Sequence, residues 1–134
     1  MGGVPGDLHL VIMVEDHPLF LREGRDLLVE LPLSFPQAAL GHELDVPSPE
    51  GPVKMKIPPG TQTGKVFRLR GKGMPGLEGR GMGDLHVRVF VEVPAKLTEE
   101  QKDLLRRFVA ISGDDLHPQS KSFFQKVREL LNNN

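Results

Sequence analysis

The 134 residues suffice for one domain or two small ones, and for a buried core that needs no covalent staple. Lys and Arg number 17 against 18 Asp and Glu, a net charge of −1 that excludes a strongly basic nucleic-acid binder or a polyacidic tail as the main theme. The absence of Cys excludes a disulfide framework, a thiolate zinc site and a cysteine nucleophile, while 15 Gly and 12 Pro suit a turn-rich β protein.

Leu8 to Val14, bounded by Gly6-Asp7 and His17-Pro18, is rich in aliphatic residues and reads as a strand. Leu27 to Leu31 reads as a second. Pro32 and Pro36 then bracket Leu33-Ser34-Phe35, and proline cannot donate to a ladder, so an edge or a departure from the sheet is expected there. Pro36 to Leu40 before Gly41 reads as one short helical turn, with Pro at its start and Gly at its end. Glu43 to Val46 and Val53 to Ile57 are two short strands joined by a proline-rich turn. In the second, Val53, Met55 and Ile57 alternate with Lys54 and Lys56, the period of a half-buried strand.

After the turn at Pro58-Pro59-Gly60, Val66 to Arg70 places Phe67 and Leu69 on one face and Arg68 and Arg70 on the other. Gly71 to Gly83 reads as a long glycine-rich loop needing positive φ at several positions. Leu85 to Val93 is the last strand, with Leu85, Val87, Val89, Val91 and Val93 on one face, and Pro94 stops it. Helical signals begin with Thr98 and Gln101, a capping box. Leu104, Leu105, Phe108 and Val109 then form one apolar stripe, and Gly113 stands where a C-terminal cap is expected. Gly113 to Pro118 reads as a linker and Ser120 to Leu131 as a second helix, with Phe123, Phe124, Val127, Leu130 and Leu131 on one face.

One internal repeat stands out. Gly6 to Glu15 aligns with Gly83 to Glu92, with six of ten positions identical at an offset of 77 residues. Two related β units are expected, of which only the tail of the first is here, so the chain reads as a fragment of a larger protein.

Familiar motifs fail on context. Gly71-Lys72-Gly73-Met74-Pro75-Gly76 has the spacing of a dinucleotide loop, but that chemistry needs a helix opening at the glycines, which Pro75, Gly79, Gly81 and Gly83 deny. Gly60-Thr61-Gln62-Thr63-Gly64-Lys65 falls one residue short of a phosphate loop, and Val66 stands where the metal-binding hydroxyl belongs; a hairpin connection is expected instead. Lys65, Arg68, Arg70, Lys72 and Arg80 beside Phe67 make a local basic cluster, read as a solvated strand face rather than a nucleic-acid site. The five histidines pair with no carboxylate at ligand spacing, and no strand–nucleophile–helix elbow is present. No enzyme and no cofactor are expected.

The remaining segments carry a resemblance. Phe20-Leu21-Arg22-Glu23-Gly24-Arg25-Asp26-Leu27, Gln37-Ala38-Ala39-Leu40-Gly41, Pro59-Gly60-Thr61-Gln62-Thr63-Gly64 and Phe67-Arg68-Leu69-Arg70-Gly71-Lys72-Gly73 follow one another. The Gly-Asp-Leu strand, Leu97-Thr98-Glu99-Glu100-Gln101 and Ser120-Lys121-Ser122-Phe123-Phe124 come after them. From Gly6 on, the chain resembles the C-terminal region of a bacterial-type DnaJ co-chaperone. The J-domain signature is absent, since His17-Pro18 continues into Leu19, and so are the family's zinc-binding cysteines.

The resemblance implies a mainly β fold: a small β-sandwich-like domain with a short helical turn, followed by C-terminal dimerisation helices. It divides the chain into residues 1–15, the last strand of a preceding β domain that is mostly absent, 16–94, the second β domain, and 95–134, the helical dimerisation segment. It implies a homodimer that holds unfolded or apolar client polypeptides for a heat-shock chaperone ATPase reached through the absent J-domain. It gives neither nucleic acid nor membrane as a partner, no cofactor for this fragment and a cytoplasmic location. No apolar run approaches the ~18 residues of a membrane span and no leader of the secretory pattern opens the chain.

The apolar stripe of the first C-terminal helix needs a cover, its own sheet or a second copy. The resemblance favours the second copy, with Leu97, Leu104, Leu105 and Phe108 at the dimer interface. Extended clients commonly add to a sheet edge. Prolines near the ends of Leu27–Leu31 and Glu43–Val46 mark those strands as near an edge, so Val29, Leu31, Leu44 and Val46 are candidate groove residues, with plain core as the alternative. The rival readings are a structural or ligand-binding β-sandwich without a chaperone role, and a nucleotide-binding enzyme.

Overall fold

In a computed structural model of the chain, the described residues are 13–14, 17–75, 81–113 and 115–133. The elements run β1 (Met13–Val14), β2 (His17–Pro18), β3 (Leu21–Glu23), β4 (Asp26–Ser34), α1 (Phe35–Leu40), β5 (His42–Val46), β6 (Val53–Ile57), β7 (Val66–Leu69), β8 (Leu85–Glu92), α2 (Glu99–Ile111) and α3 (Pro118–Asn132). The chain divides into two units between Val93 and Pro94. The first is mainly β and the second is helical. Of the strand expected at Leu8–Val14 only β1 falls within the described residues, and it pairs antiparallel with β2. The rest of residues 1–15, and with it the first copy of the repeat, lies outside them.

The second copy of the repeat, β8, is the centre of the first unit. It lies in a four-stranded sheet of order β3-β4-β8-β7, parallel to β4 and antiparallel to β7. Its alternation works as expected: Leu85, Val87 and Val89 are buried, and His86, Arg88 and Phe90 face the other way. Leu27, Val29 and Leu33 of β4 join the same core, as do Val46, Met55 and Ile57 of the antiparallel β5–β6 hairpin and Ala38 of α1. One apolar cluster is thus closed by the sheet on one side and by the hairpin and α1 on the other.

Of the edge or departure expected at Pro32, the structure shows an edge: the strand does not end there, and β4 runs through it to Ser34. The Leu27 N–H donates to the Asp84 carbonyl of the β8 side at 2.9 Å, so at period two the N–H groups of odd-numbered β4 residues point to β8 and those of even-numbered ones away. Pro32 is even-numbered, and β3 accompanies β4 only as far as Leu28. The missing N–H therefore falls on an open edge, where nothing needs it.

Ser34 then caps α1. Its hydroxyl accepts the Gln37 N–H at 3.2 Å, and the Gln37 side chain accepts the Ser34 N–H at 3.0 Å. The helix ends at Gly41 with φ 87°. The free carbonyls of Ala38 and Ala39 accept the N–H groups of Thr61 and Gly60 at 3.0 and 3.1 Å, which fastens the β6–β7 connection to the helix end. That connection is not a hairpin, contrary to the sequence reading, because β6 pairs with β5 and β7 with β8. It carries the chain from one layer to the other.

The loop from Gly71 to Gly83 is described at 71–75 and 81–83. Gly71 has φ 73°, as expected of a glycine-rich loop. Gly73 and Gly83 are there for another reason: the backbone of Arg25 lies against both, and Asp84 backbone atoms lie against Gly73, leaving no room for a Cβ. Three hydrogen bonds lock this crossing: Gly73 N–H to Gly83 O at 2.9 Å, Gly83 N–H to Met74 O at 2.8 Å, and Met74 N–H to Arg25 O at 2.8 Å.

In the second unit, the Thr98–Gln101 capping box forms as expected, with the Gln101 N–H on the Thr98 hydroxyl and the Thr98 N–H on the Gln101 side chain. α2 closes at Ser112 rather than Gly113, with the Ser112 hydroxyl donating to the Phe108 carbonyl at 2.6 Å. Pro118 begins α3 instead of belonging to the linker, because its fixed φ suits a first helical position where no N–H partner is required.

Candidate functional site

Both α2 and α3 are amphipathic, and no residue of either is buried. On α2 the apolar stripe expected from the 3.6-residue period is complete and open: Leu104, Leu105 and Phe108 are 60%, 39% and 37% exposed. Val109 and Ile111 are more open still, and Leu97, just ahead of the helix, is half-buried. On α3, Phe123 and Phe124 meet edge to face at 5.0 Å between ring centres, and both remain exposed, as do Leu130 and Leu131. A helix with this much apolar surface is not in its most stable setting while that surface faces water.

The four groove candidates divide. Val29 is 4% exposed and Val46 0%, so both spend their surface on the core and offer none to a ligand. Leu31 and Leu44 pack against that core from its margin and stay half-buried. The difference was not legible in the alternation, which puts all four on inward faces; it depends on how far along each strand the opposite layer extends.

A concavity that the sequence did not announce lies on the outer face of the sheet. It encloses about 380 Å³ and is lined by Leu21, Asp26, Leu28, Val66 and His86, among others. Register explains it: Leu21 pairs with Leu28, Leu28 with His86, and His86 with Arg68, so one row crosses four strands on one face. The signal available beforehand was Leu28, an apolar residue on what should be the polar side of β4.

A polar ladder rims this face. Asp84 accepts the Gly71 N–H at 3.0 Å and the Arg68 Nε–H at 2.6 Å within an ion pair, and its own N–H donates to Asp26 at 2.8 Å. The second Asp26 oxygen is 3.2 Å from His86 Nε2, and Arg88 meets Glu30 at 2.8 Å one row on. The Asp84 N–H, and then the His86 ring, hold the Asp26 carboxyl below the ordinary aspartate value of 3.8. The Gly71 N–H, and then Arg68, do the same for Asp84. With folded-state pKa values below the unfolded one, the unfolded chain takes up protons first as pH falls. The stabilisation from these two groups is complete well above pH 3.8 and is lost as pH falls through that value toward their folded values. Asp26→Asn and Asp84→Asn should therefore unfold with a shallower acid limb than the parent in urea melts across pH 2–6; parallel acid limbs would refute the assignment.

Among the described residues, no group of three or more His, Cys, Asp or Glu side chains is arranged to hold a metal ion. Among them, too, no helix is long and apolar enough to cross a membrane.

Comparison with known proteins adds the following. Residues 1–94 match the family model described as the DnaJ C terminal domain, and residues 100–133 match that of the chaperone protein DnaJ C-terminal region. The chain is 56% identical over 130 residues to the chaperone protein DnaJ of Ruminiclostridium cellulolyticum, covering 97% of this chain and 34% of that protein. It is 54% identical to the one from Syntrophotalea carbinolica, covering 97% and 35%, and 56% identical to the one from Desulfitobacterium hafniense, covering 97% and 34%. The chain thus spans about a third of the length of these relatives.

Proposed function

Because the chain belongs to the DnaJ chaperone family and matches its C-terminal region, we propose that it is the part of a co-chaperone that joins two copies and holds unfolded clients. In a longer protein, such clients would pass to a heat-shock chaperone ATPase through a J-domain. The observation that carries the proposal is the open stripe of Leu104, Leu105 and Phe108 on α2, with Leu97 beside it in sequence. A capped, amphipathic helix with no buried residue is a built surface in need of a cover, and a second copy supplies the same apolar stripe in return. Light scattering at tens of micromolar chain should give about twice the 14.8 kDa of one chain; a mass of one chain would overturn the dimer.

For the clients, the proposal rests on the margin where Leu31 and Leu44 keep surface. The two-stranded β5–β6 hairpin has unpaired outer edges among the described residues, and an extended segment adds to such an edge by backbone bonding while alternate side chains find pockets. Only a short apolar patch is covered and the peptide must be ordered, so affinity on the order of 10 μM or poorer is expected. Titration of an apolar peptide should shift amides at residues 27–31 and 42–46 in a labelled chain. Shifts elsewhere, or none at millimolar peptide, would leave a dimerisation module alone.

A further inference from the structure

We propose that the outer edge of β7 is a second docking site, for an extended polypeptide segment rich in carboxylates. It is separate from the apolar margin at Leu31 and Leu44 and does not rest on it. β7 is the last strand of its sheet. The Val89 N–H donates to the Lys65 carbonyl at 2.8 Å, so that carbonyl and the backbone groups of residues 67 and 69 turn toward β8. Those of Val66 and Arg68 turn outward, and no backbone partner meets them among the described residues. An exposed strand edge with outward backbone groups is a template for strand addition.

The charge at this edge is one-sided. Lys65 lies over the Phe67 ring, 5.7 Å from its centre, and Arg70 and Lys72 follow directly after the strand. None of the three has an ion pair among the described residues, whereas Arg68 is matched by Asp84. In a chain of net charge −1, Lys65 just before β7 and Arg70 and Lys72 just after it make a local field at the two ends of the strand, not a global one. Such charges repel ordinary apolar or cationic strands and keep the edge from indiscriminate pairing. They attract a segment that brings carboxylates, and the open backbone groups require that segment to be a polypeptide in extended form.

The test uses the full chain, isotopically labelled, at low ionic strength. Three probes are titrated: a peptide alternating Val and Glu, one alternating Val and Lys, and oligothymidylate. The acidic peptide should shift amides at residues 64–72 and leave Leu31 and Leu44 unmoved. Lys65→Glu with Arg70→Glu and Lys72→Glu should weaken it about tenfold or more, as should raising the salt to about 0.5 M. Val66→Pro removes one outward N–H at a position where edge proline is tolerated, and should also weaken binding; unchanged β8 amides certify the fold of each variant. The proposal fails if the two peptides bind alike, if oligothymidylate binds as well as the acidic peptide, if the shifts fall at Leu31 and Leu44, if the charge reversals change nothing, or if no shift appears at millimolar peptide.

Discussion

If two copies join through α2, as proposed, replacing Leu104 and Phe108 together by aspartate should leave single chains of 14.8 kDa. Both side chains lie on the open stripe of α2, where full burial of an exposed side chain is worth roughly 1.5–3 kcal/mol, and the part still open on Leu104 and Phe108, 60% and 37%, contributes a share of that. In a twofold arrangement each substitution is felt twice, once from either copy. The variant also puts carboxylates where the apolar partner surface cannot pair them, which adds a desolvation cost to the lost contact. An affinity change of many powers of ten follows, so dissociation should be complete at any practical concentration. The helix itself should persist, because the Thr98–Gln101 capping box is untouched. Light scattering with far-UV circular dichroism separates the two outcomes. Full mass with helix intact would show that α2 does not form the interface, and would turn attention to Phe123, Phe124, Leu130 and Leu131 of α3.

The largest effect on the β unit should come from Gly83→Ala. A Cβ there would overlap the Arg25 carbonyl group, and the atoms it meets include main-chain atoms held by hydrogen bonds, so no side-chain rotation relieves the clash. Overpacking costs typically 1–3 kcal/mol and occasionally more, and this site belongs at the upper end. That corresponds to a fall in melting temperature of roughly 10–20 °C for a unit of this size. Gly73→Ala meets Arg25 and Asp84 backbone atoms and should behave similarly. Gly71→Ala has φ 73° but nothing within 4 Å of the new atom, so only the left-handed conformation is penalised, at about 1–2 kcal/mol. Thermal melts should therefore rank Gly83 and Gly73 well above Gly71. A reversed ranking would mean that backbone conformation, not the close crossing at Arg25, governs the loop.

Much that depends on neighbours within four residues was legible in the amino-acid sequence, although the end of α2 at Ser112 and the start of α3 at Pro118 were not. The period-two alternation of β8, the capping box at Thr98, the stripe of Leu104, Leu105 and Phe108, and the short helix ending at Gly41 are all local patterns. Each follows from backbone geometry that a few adjacent residues settle by themselves. So did the family resemblance, which rests on short motifs in a fixed order.

What only the tertiary structure decided is the set of contacts between distant segments. Asp26 and Asp84 are 58 residues apart, and nothing in either segment announces that β4 and β8 run parallel and side by side. That pairing makes Pro32 harmless, makes Gly83 and Gly73 irreplaceable by larger residues, and leaves β7 with an open edge. The packing of the β5–β6 hairpin and the sheet around one core likewise buries Val29 and Val46 while Leu31 and Leu44 keep part of their surface. Alternation states which face of a strand is apolar; it does not state how much of that face another layer will cover, because coverage is set by the extent of the opposing hairpin and not by the strand's own residues.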